Sequence, residues 1–280
     1  MFYLLNCFIQ MKILLSNNDL NEALYDVSNL GFVPTMGSLH NGHISLIKKS
    51  LKDCKKTIVS IFINPTQFNN KNDFENYPKN NKKDLSILKN LKINFLYMPK
   101  AKDVYDYERK SPIRLRKKDK ILCAKFRKGH FEGVIDVMER LTKIIKPQKI
   151  YLGEKDFQQL FLVKKYNPKK YKAKIISCRT IRNKNKLAFS SRNKLLSKKQ
   201  LKIAEKISKE VFFLKKKLSK SRNIKKLLSD KKKRLTNLFN IKFDYLELRN
   251  TSNLKISNKV KNSRLFVAYH INKIRLIDNF

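Results

Sequence analysis

The chain has 280 residues, enough to bury one large hydrophobic core or two moderate ones. Its hydrophobic content of 41% argues against a disordered protein. The 65 Lys and Arg residues outnumber the 22 Asp and Glu residues, giving a formal net charge of +43. Such an excess is typical of proteins that bind nucleic acid, anionic membranes or acidic ligands. Lysines occur in almost every segment, however, so the distribution favours a solvated basic surface over a nucleic-acid site.

The cysteine spacing and the length of the hydrophobic runs indicate the cellular compartment in which the protein is expected. Cysteines at positions 7, 54, 123 and 178 are widely spaced, which argues against a disulfide framework or structural zinc and fits a reducing cytoplasm. No run approaches the length of a membrane span. Residues 1–10 are apolar but lack a basic start and a cleavage site, so we expect an extension outside the fold, with Met11 as an alternative start.

Strand and helix patterns alternate through residues 11–180. Such alternation indicates βαβ units with right-handed crossovers, hence an α/β fold with a doubly wound parallel, Rossmann-like sheet. The predicted elements are a short strand and a helix within 11–29, strands at 31–34, 57–63, 93–97, 149–152 and 174–178, and helices after 43, at 85–91, at 134–145 and from about 156.

The pattern changes beyond Ser190. Lysine-rich helices extend to about residue 237, and strands are predicted at 243–248, 264–269 and 274–279. We therefore predict two domains, a nucleotide-binding domain at 11–180 and a smaller C-terminal α+β lid domain at 181–280.

The first motif runs from Gly31 to His43. An apolar strand ends at Pro34, and a glycine-containing turn leads into a helix beside His40 and His43. Unpaired N–H groups and the helix dipole make such a helix start a site for anions. Two histidines at this spacing could also be incidental. A zinc site is disfavoured because no third ligand lies nearby at metal-site spacing.

Two further polar clusters lie next to predicted elements, one after the strand at 57–63 and one before the helix at 134–145. In Asn64-Pro65-Thr66-Gln67-Phe68, the Gln67 amide offers both a donor and an acceptor for a hydroxylated acid. In the segment 127–133, Arg127 and His130 lie among glycines and suit a phosphate or carboxylate, although a basic turn is an equally simple interpretation.

The last two clusters are rich in donors. Gly153 allows close approach of a ligand to the backbone, and Lys155 supplies a compact charge for phosphate. Asp156 could instead serve only to cap the following helix. The segment 190–193 combines hydroxyls, a guanidinium and an amide that suit a triphosphate, but alone it also fits a helix-capping loop.

In this order and spacing, the five motifs resemble the pantothenate synthetase (pantoate–β-alanine ligase) family. These are nucleotidyltransferases whose H-x-G-H signature is His40-Asn41-Gly42-His43 here, and the resemblance covers nearly the whole chain from Met11. It implies ATP-dependent condensation of pantoate with β-alanine to pantothenate through pantoyl adenylate, releasing AMP and pyrophosphate. It also implies Mg²⁺ accompanying ATP, a cytoplasmic homodimer, and neither a specific nucleic-acid partner nor a membrane.

The resemblance also implies roles for individual residues. His43 is the expected proton donor, with His40 and Lys155 as its catalytic partners, and no residue is expected to ligate a metal directly. The implied ATP-binding residues are Met36, Gly37, Ser38, Leu39, His40, Asn41, Gly42, His43, Gly153, Glu154, Lys155, Asp156, Ile181, Phe189, Ser190, Ser191 and Arg192. The implied pantoate- or β-alanine-binding residues are Gln67, Gln159, Asn64, Tyr77, Arg127 and His130.

Some positions depart from the family pattern. Asn185-Lys186 stand where Asp-Gly is common, Lys79 replaces an arginine, and Lys128 and Arg179 replace prolines. These changes bear on rate and loop closure more than on identity. Two other hypotheses remain open from sequence: a different adenylyl- or cytidylyltransferase of this fold, and a basic RNA-binding protein, which predicts basic and aromatic residues clustered on one face.

Overall fold

The computed structural model describes residues 11–68, 74–105, 113–166 and 171–280. Residues 1–10, predicted to be an extension, lie outside the described residues. The chain divides into two compact units. The first combines the described part of Met1–Asp119 with Arg127–Gly153 and Gln159–Cys178, and the second combines Lys120–Phe126, Glu154–Gln158 and Arg179–Phe280. The sequence predicted a single boundary at residue 180 and did not predict that residues 120–126 and 154–158 belong to the second unit.

The first unit is built on a parallel sheet. Among the described residues it has six strands in the order β1-β4-β3-β2-β5-β6, and every pairing is parallel. This confirms the predicted doubly wound α/β fold. The strands are β1 (Lys12–Leu14), β2 (Leu30–Thr35), β3 (Lys56–Ile61), β4 (Phe95–Tyr97), β5 (Lys149–Gly153) and β6 (Lys174–Cys178).

Helices connect these strands. Each lies near a segment whose hydrophobic spacing predicted it, except for two short helices in the basic region after residue 100. In chain order they are α1 (Asn17–Leu24), α2 (Asn41–Asp53), α3 (Asn81–Asn90), α4 (Ala101–Val104), α5 (Cys123–Phe126), α6 (His130–Ile145) and α7 (Phe157–Tyr166).

The central strands form the core of this unit. Phe32 and Val33 in β2 and Ile58 and Val59 in β3 are fully buried, as expected for a parallel sheet covered on both faces. The predicted end of β2 at Pro34 is wrong, because the strand continues to Thr35. Its ladder to β5 pairs only residues 31 and 32, so the proline lies where β2 pairs with β3 alone.

The strand order creates a reversal point beside β2. The chain moves from β2 outward through β3 to β4 and then returns to β5 on the other side of β2. Ligands of open α/β sheets bind in the crevice outside the carboxyl ends of the strands at such a point. The predicted histidine motif follows β2, and the predicted Gly153 motif begins at the end of β5.

The second unit pairs two long helices with an antiparallel sheet. Helices α8 (Lys198–Leu218) and α9 (Ile224–Phe239) precede strands β7 (Lys242–Asn250), β8 (Ser263–Ile271) and β9 (Ile274–Asn279). The helices and strands share one hydrophobic core that includes Val211, Leu235 and Leu265, which confirms a smaller α+β unit. Throughout the described ranges, no helix combines the length and the apolar character needed to cross a membrane.

Candidate active site

A buried carboxylate holds the turn that follows β2. Gly37 and Ser38 adopt left-handed backbone conformations, with φ of 76° and 54°. Asp84, in the first turn of α3 and only 1% exposed, accepts hydrogen bonds from the N–H groups of Ser38 and Leu39 at 2.7 and 2.8 Å. The Thr35 hydroxyl accepts from the Gly37 N–H at 3.1 Å. The backbone of this turn is therefore held by contacts from within the protein.

The two histidines stand at the start of α2. Nδ1 of His40 accepts the Gly42 N–H at 3.1 Å, so a neutral His40 ring carries its proton on Nε2. The His40 and His43 rings stack with centroids 4.0 Å apart. Both imidazoles thus lie at the positive end of the α2 dipole, where backbone N–H groups also favour an anion.

The turn after β3 is built around Asn64. This side chain is 1% exposed, and its Oδ1 accepts the Thr66 N–H at 3.2 Å and the Tyr105 hydroxyl at 2.7 Å. Its Nδ2 donates to the Gly133 carbonyl at 3.2 Å. Burial raises the pKa of Tyr105 to about 12, so the hydroxyl remains a donor at neutral pH. The described contacts of Asn64 hold the turn, and its expected contact with substrate stays a prediction.

Gln67 links this turn to the histidine motif. Its Nε2 donates to the sulfur of Met36, which places two predicted site residues from different strand ends in contact. The contact matters chemically because a thioether is a weak acceptor that a carboxylate can readily replace. The structure therefore brings the predicted acid-binding amide beside the predicted phosphate-binding turn.

His130 connects Arg127 to the same turn. Arg127 Nη1 lies 2.8 Å from His130 Nε2, and His130 Nδ1 lies 2.7 Å from the Gln67 carbonyl oxygen. Because a guanidinium only donates and a carbonyl only accepts, both contacts require a neutral ring protonated on Nδ1. Of the remaining predicted residues in this unit, Tyr77 is buried edge-on against Phe68, and Gln159 is half-buried on α7.

In the second unit, the C-terminal strand clamps the turn that precedes α7. The Asn279 amide nitrogen donates to the carbonyl oxygens of Glu154 and Lys155 at 2.9 and 2.8 Å. The Glu154 carboxylate forms a 2.6 Å ion pair with Arg264, so that side chain has a structural role. Lys155 Nζ lies 3.3 Å from the half-exposed carboxylate of Asp156.

A short hairpin brings the last predicted residues together. The Phe189 N–H donates to the Ile181 carbonyl at 3.1 Å. The Ser190 hydroxyl then accepts the Arg192 N–H at 3.3 Å and caps the 3-10 turn Ser191–Leu195. The capping interpretation of this segment is thus confirmed, and the hydrogen bond from Phe189 holds the start of the segment beside Ile181.

The same hairpin contains the main departure from the family pattern. Lys186 stands where glycine is common and takes a φ of 70°, a conformation that suits glycine. Glu205 steadies the loop by accepting the amides of Asn183 and Asn185 at 2.6 and 2.8 Å. The loop therefore adopts a backbone conformation that suits glycine with a lysine at this position, at the cost of a strained lysine backbone.

Sequence reasoning missed the anchors Asp84 and Asn279. The only signal for Asp84 was that it is the sole acidic residue between Glu75 and Asp103. Asn279 had no signal beyond its place in the last predicted strand. Over the described residues, no three His, Cys, Asp or Glu side chains cluster as a metal site would require.

Comparisons with known proteins point to a single family. The family model described as pantoate-beta-alanine ligase matches residues 12–280. Pantothenate synthetase from Francisella tularensis subsp. mediasiatica is 40% identical over 270 residues, covering 94% of this chain and 93% of the relative. The Francisella philomiragia enzyme is 40% identical over 268 residues, with the same coverage of 94% and 93%.

Solved structures give the same result. Pantothenate synthetase from Thermus thermophilus has a TM-score of 0.90 at 28% identity, covering 96% of this chain and 99% of that one. The Francisella tularensis pantoate-beta-alanine ligase, complexed with beta-gamma ATP and beta-alanine, has a TM-score of 0.81 at 38% identity, covering 96% and 97%. With its fold, its motifs and its full-length relatives in agreement, the chain belongs to the pantoate–β-alanine ligase family and is a ligase of pantothenate biosynthesis.

Proposed function

We propose that this ligase works in two half-reactions. Pantoate's carboxylate attacks the α-phosphorus of ATP, forming pantoyl adenylate and releasing pyrophosphate. The amine of β-alanine then attacks the activated acyl carbon, forming the amide of pantothenate and expelling AMP. Adenylation is needed because a carboxylate oxygen is a poor leaving group at neutral pH, whereas AMP is a good one. The observation that carries the proposal is the contact of Gln67 with Met36 at the reversal point of the sheet.

The turn from Met36 to His43 is assigned to the ATP phosphates. Its backbone is preset by Asp84, and the helix dipole of α2 favours negative charge there. Phosphoryl transfer depends mainly on positioning and charge stabilisation, which such a preset turn supplies. In this assignment His43 donates a proton to the phosphate oxygens as pyrophosphate leaves, and His40 stacks beside it and supports its orientation.

Gln67 is assigned to pantoate, adjacent to β-alanine. Its amide can exchange the weak sulfur contact for the acid's oxygen atoms. The Arg127–His130 pair holds the Gln67 backbone, so these two residues support the acid site. Asn64, Tyr77 and Gln159 complete the proposed acid- and amine-binding group.

Gly153 at the end of β5 and residues of the second unit are assigned to the rest of the nucleotide. The proposed contacts are made by the backbone of Ile181, by Lys155, and by hydroxyl and guanidinium donors. These donors suit a triphosphate because charged hydrogen bonds to phosphate are short and strong. The full set is Gly153, Glu154, Lys155, Asp156, Ile181, Phe189, Ser190, Ser191 and Arg192.

Mg²⁺ is proposed to arrive with ATP. Protein cages for this ion are unusual, and it is commonly held by substrate phosphates, water and one or two carboxylates. When bound, the ion neutralises phosphate charge. The related Francisella tularensis structure, complexed with beta-gamma ATP and beta-alanine, supports the two co-substrates.

A cytoplasmic homodimer completes the proposal, and sedimentation showing only monomer would contradict the dimer.

The decisive assay for function incubates the chain with ATP, pantoate and β-alanine and follows nucleotide products. We expect AMP and pantothenate in equal amounts, with steady AMP formation only when β-alanine is present. Formation of ADP and phosphate, or turnover without pantoate, would contradict the adenylate route.

A further inference from the structure

A cavity of about 230 Å³ lies wholly within the second unit and carries an excess of positive charge. Arg182, Lys215, Lys216 and Arg264 line it, whereas Glu154 is the only acidic residue among the described residues of its lining. The rings of Phe212 and Phe280 complete its apolar wall. None of these residues except Glu154 has a role in the reaction proposed above.

Two of the four cations are already neutralised. Arg182 makes a bidentate pair with Asp278 at 2.6 and 2.9 Å, and Arg264 pairs with Glu154 at 2.6 Å. The two lysines have no such partner in the described part of the chain. Lys215 donates to the Ser263 carbonyl at 2.7 Å, and Lys216 lies over the Phe212 ring at 5.1 Å. The charge that remains in the cavity is therefore that of two ammonium groups.

A second and independent feature is an unsatisfied hydroxyl. Thr180 lines the cavity, and its Oγ1 is buried without a hydrogen-bond partner among the described residues. Leaving a buried polar group in this state is unfavourable, so such groups usually face a ligand or water. Burial lowers the pKa of Lys215, and the nearby Arg264 charge lowers it further. An anion in the cavity would both accept a hydrogen bond from Thr180 and stabilise the charged form of Lys215.

We propose that this cavity is a binding site for a small phosphate-class anion, with the Lys215 and Lys216 ammonium groups and the Thr180 hydroxyl as donors. Charge-assisted hydrogen bonds favour a phosphate oxygen over a neutral ligand. The two phenylalanine rings favour an apolar substituent, so a phosphate monoester is expected to bind more tightly than the free ion. The inference is independent of the proposed catalytic steps.

Isothermal titration of the full chain with inorganic phosphate, and separately with phenyl phosphate, tests the proposal. Because the nucleotide site is also expected to attract phosphate, both titrations are run with a saturating β,γ-imido analogue of ATP. We expect saturable binding in both, weakened roughly tenfold in Lys216→Ala by loss of a charge-assisted contact. Lys217→Ala removes the same charge from an adjacent exposed position outside the cavity and is expected to bind as the parent does.

The Thr180→Val variant provides a second test, which distinguishes a loss of phosphate binding from a loss of folding stability. Removing an unsatisfied hydroxyl is expected to raise the melting temperature without phosphate, while phosphate binding weakens. Pantothenate formation by Lys216→Ala is expected to stay unchanged, which keeps this result separate from the proposed function. Loss of all phosphate binding in the presence of the ATP analogue, or equal binding by Lys216→Ala and Lys217→Ala, would overturn the proposal.

Discussion

Asp84 and Asn279 anchor two motif turns, one in each unit, with opposite hydrogen-bond polarity. In the first unit, the Asp84 carboxylate accepts from two consecutive backbone N–H groups. In the second, the Asn279 amide donates to two consecutive backbone carbonyls. Accepting from N–H groups fixes a left-handed turn that leads into a helix start, where an anion can bind. Donating to carbonyls fixes a turn whose usable chemistry lies in the Lys155 side chain.

The residues assigned to chemistry and the residues that hold their turns in place are arranged differently along the chain. The motif side chains are contiguous in sequence, but each anchor comes from far along the chain. Asp84 is 46 and 45 positions from the residues whose N–H groups it accepts, and Asn279 is 125 and 124 positions from its carbonyls. Substituting a chemical residue should therefore change rate alone, whereas substituting an anchor should change rate and stability together.

His43→Ala is expected to have the largest effect on activity. Loss of one donor to developing charge typically costs about two to three orders of magnitude in rate. Pyrophosphate release from ATP and pantoate measures this step directly. The melting temperature should change little because the ring is partly exposed. Near-normal pyrophosphate release would remove His43 from the mechanism.

Asp84→Ala should lower both activity and stability. Two buried N–H groups would lose their acceptor, which we expect to cost about 2–4 kcal/mol in the free energy of unfolding. Displacement of the phosphate-binding turn should also reduce kcat roughly a hundredfold. Chemical denaturation and steady-state kinetics measure the two effects.

Asp84→Asn is the matched control for that change. One amide oxygen can still accept from the turn, so we expect partial recovery of both stability and kcat. Equal loss in both variants would indicate that the turn requires both carboxylate oxygens, because the amide nitrogen of Asn cannot accept from the second N–H.

Asn279→Ala is expected to act on nucleotide use. Removing the two donated hydrogen bonds should cost about 1–3 kcal/mol of stability. The released Glu154–Lys155 turn should raise the KM for ATP roughly tenfold, with a smaller change for pantoate. Asn258→Ala, at an exposed loop position in the same unit, is the control. Equal KM changes for both substrates would count against a nucleotide-specific turn.

Two glycines give a smaller and sharper contrast. A Cβ on Gly133 would lie 2.5 Å from the Thr66 carbonyl oxygen, so Gly133→Ala should cost about 1–3 kcal/mol of stability. A Cβ on Gly153 meets no atom within 4 Å, so Gly153→Ala should stay within about 0.5 kcal/mol of the parent. If ATP approaches Gly153, that variant should raise the KM for ATP. An unchanged KM would place the nucleotide elsewhere.

Lys186→Gly is expected to have the smallest effect. Relief of the left-handed backbone should outweigh the greater freedom of glycine in the unfolded chain, raising stability by about 0.5–1 kcal/mol. Thermal unfolding compared with Lys184→Gly, a change at a neighbouring position without a positive φ, isolates the backbone contribution. A destabilised Lys186→Gly would show that the lysine contact with Phe212 is worth more than the strain.

The parallel sheet and the smaller α+β unit could be predicted from the sequence because the patterns that indicate them lie within short stretches of neighbouring residues. Near-continuous apolar strands such as β3 and amphipathic helices such as α6 have periods that can be read from neighbouring residues. The histidine, Gln67 and Gly153 motifs were visible for the same reason, since each is a short run placed after a strand.

Only the tertiary structure decided how those motifs are held. Asp84 and Asn279 act through backbone groups on segments far away in sequence, and the short segments 120–126 and 154–158 join the second unit. The Gln67 contact with Met36 likewise depends on the order in which the strands pair. A hydrogen bond to a main-chain N–H or carbonyl carries no residue type on the partner's side, so no sequence pattern records it. The side chains of each motif are therefore found in one short stretch of sequence, whereas the positions of the motifs in space depend on strand order and long-range backbone contacts.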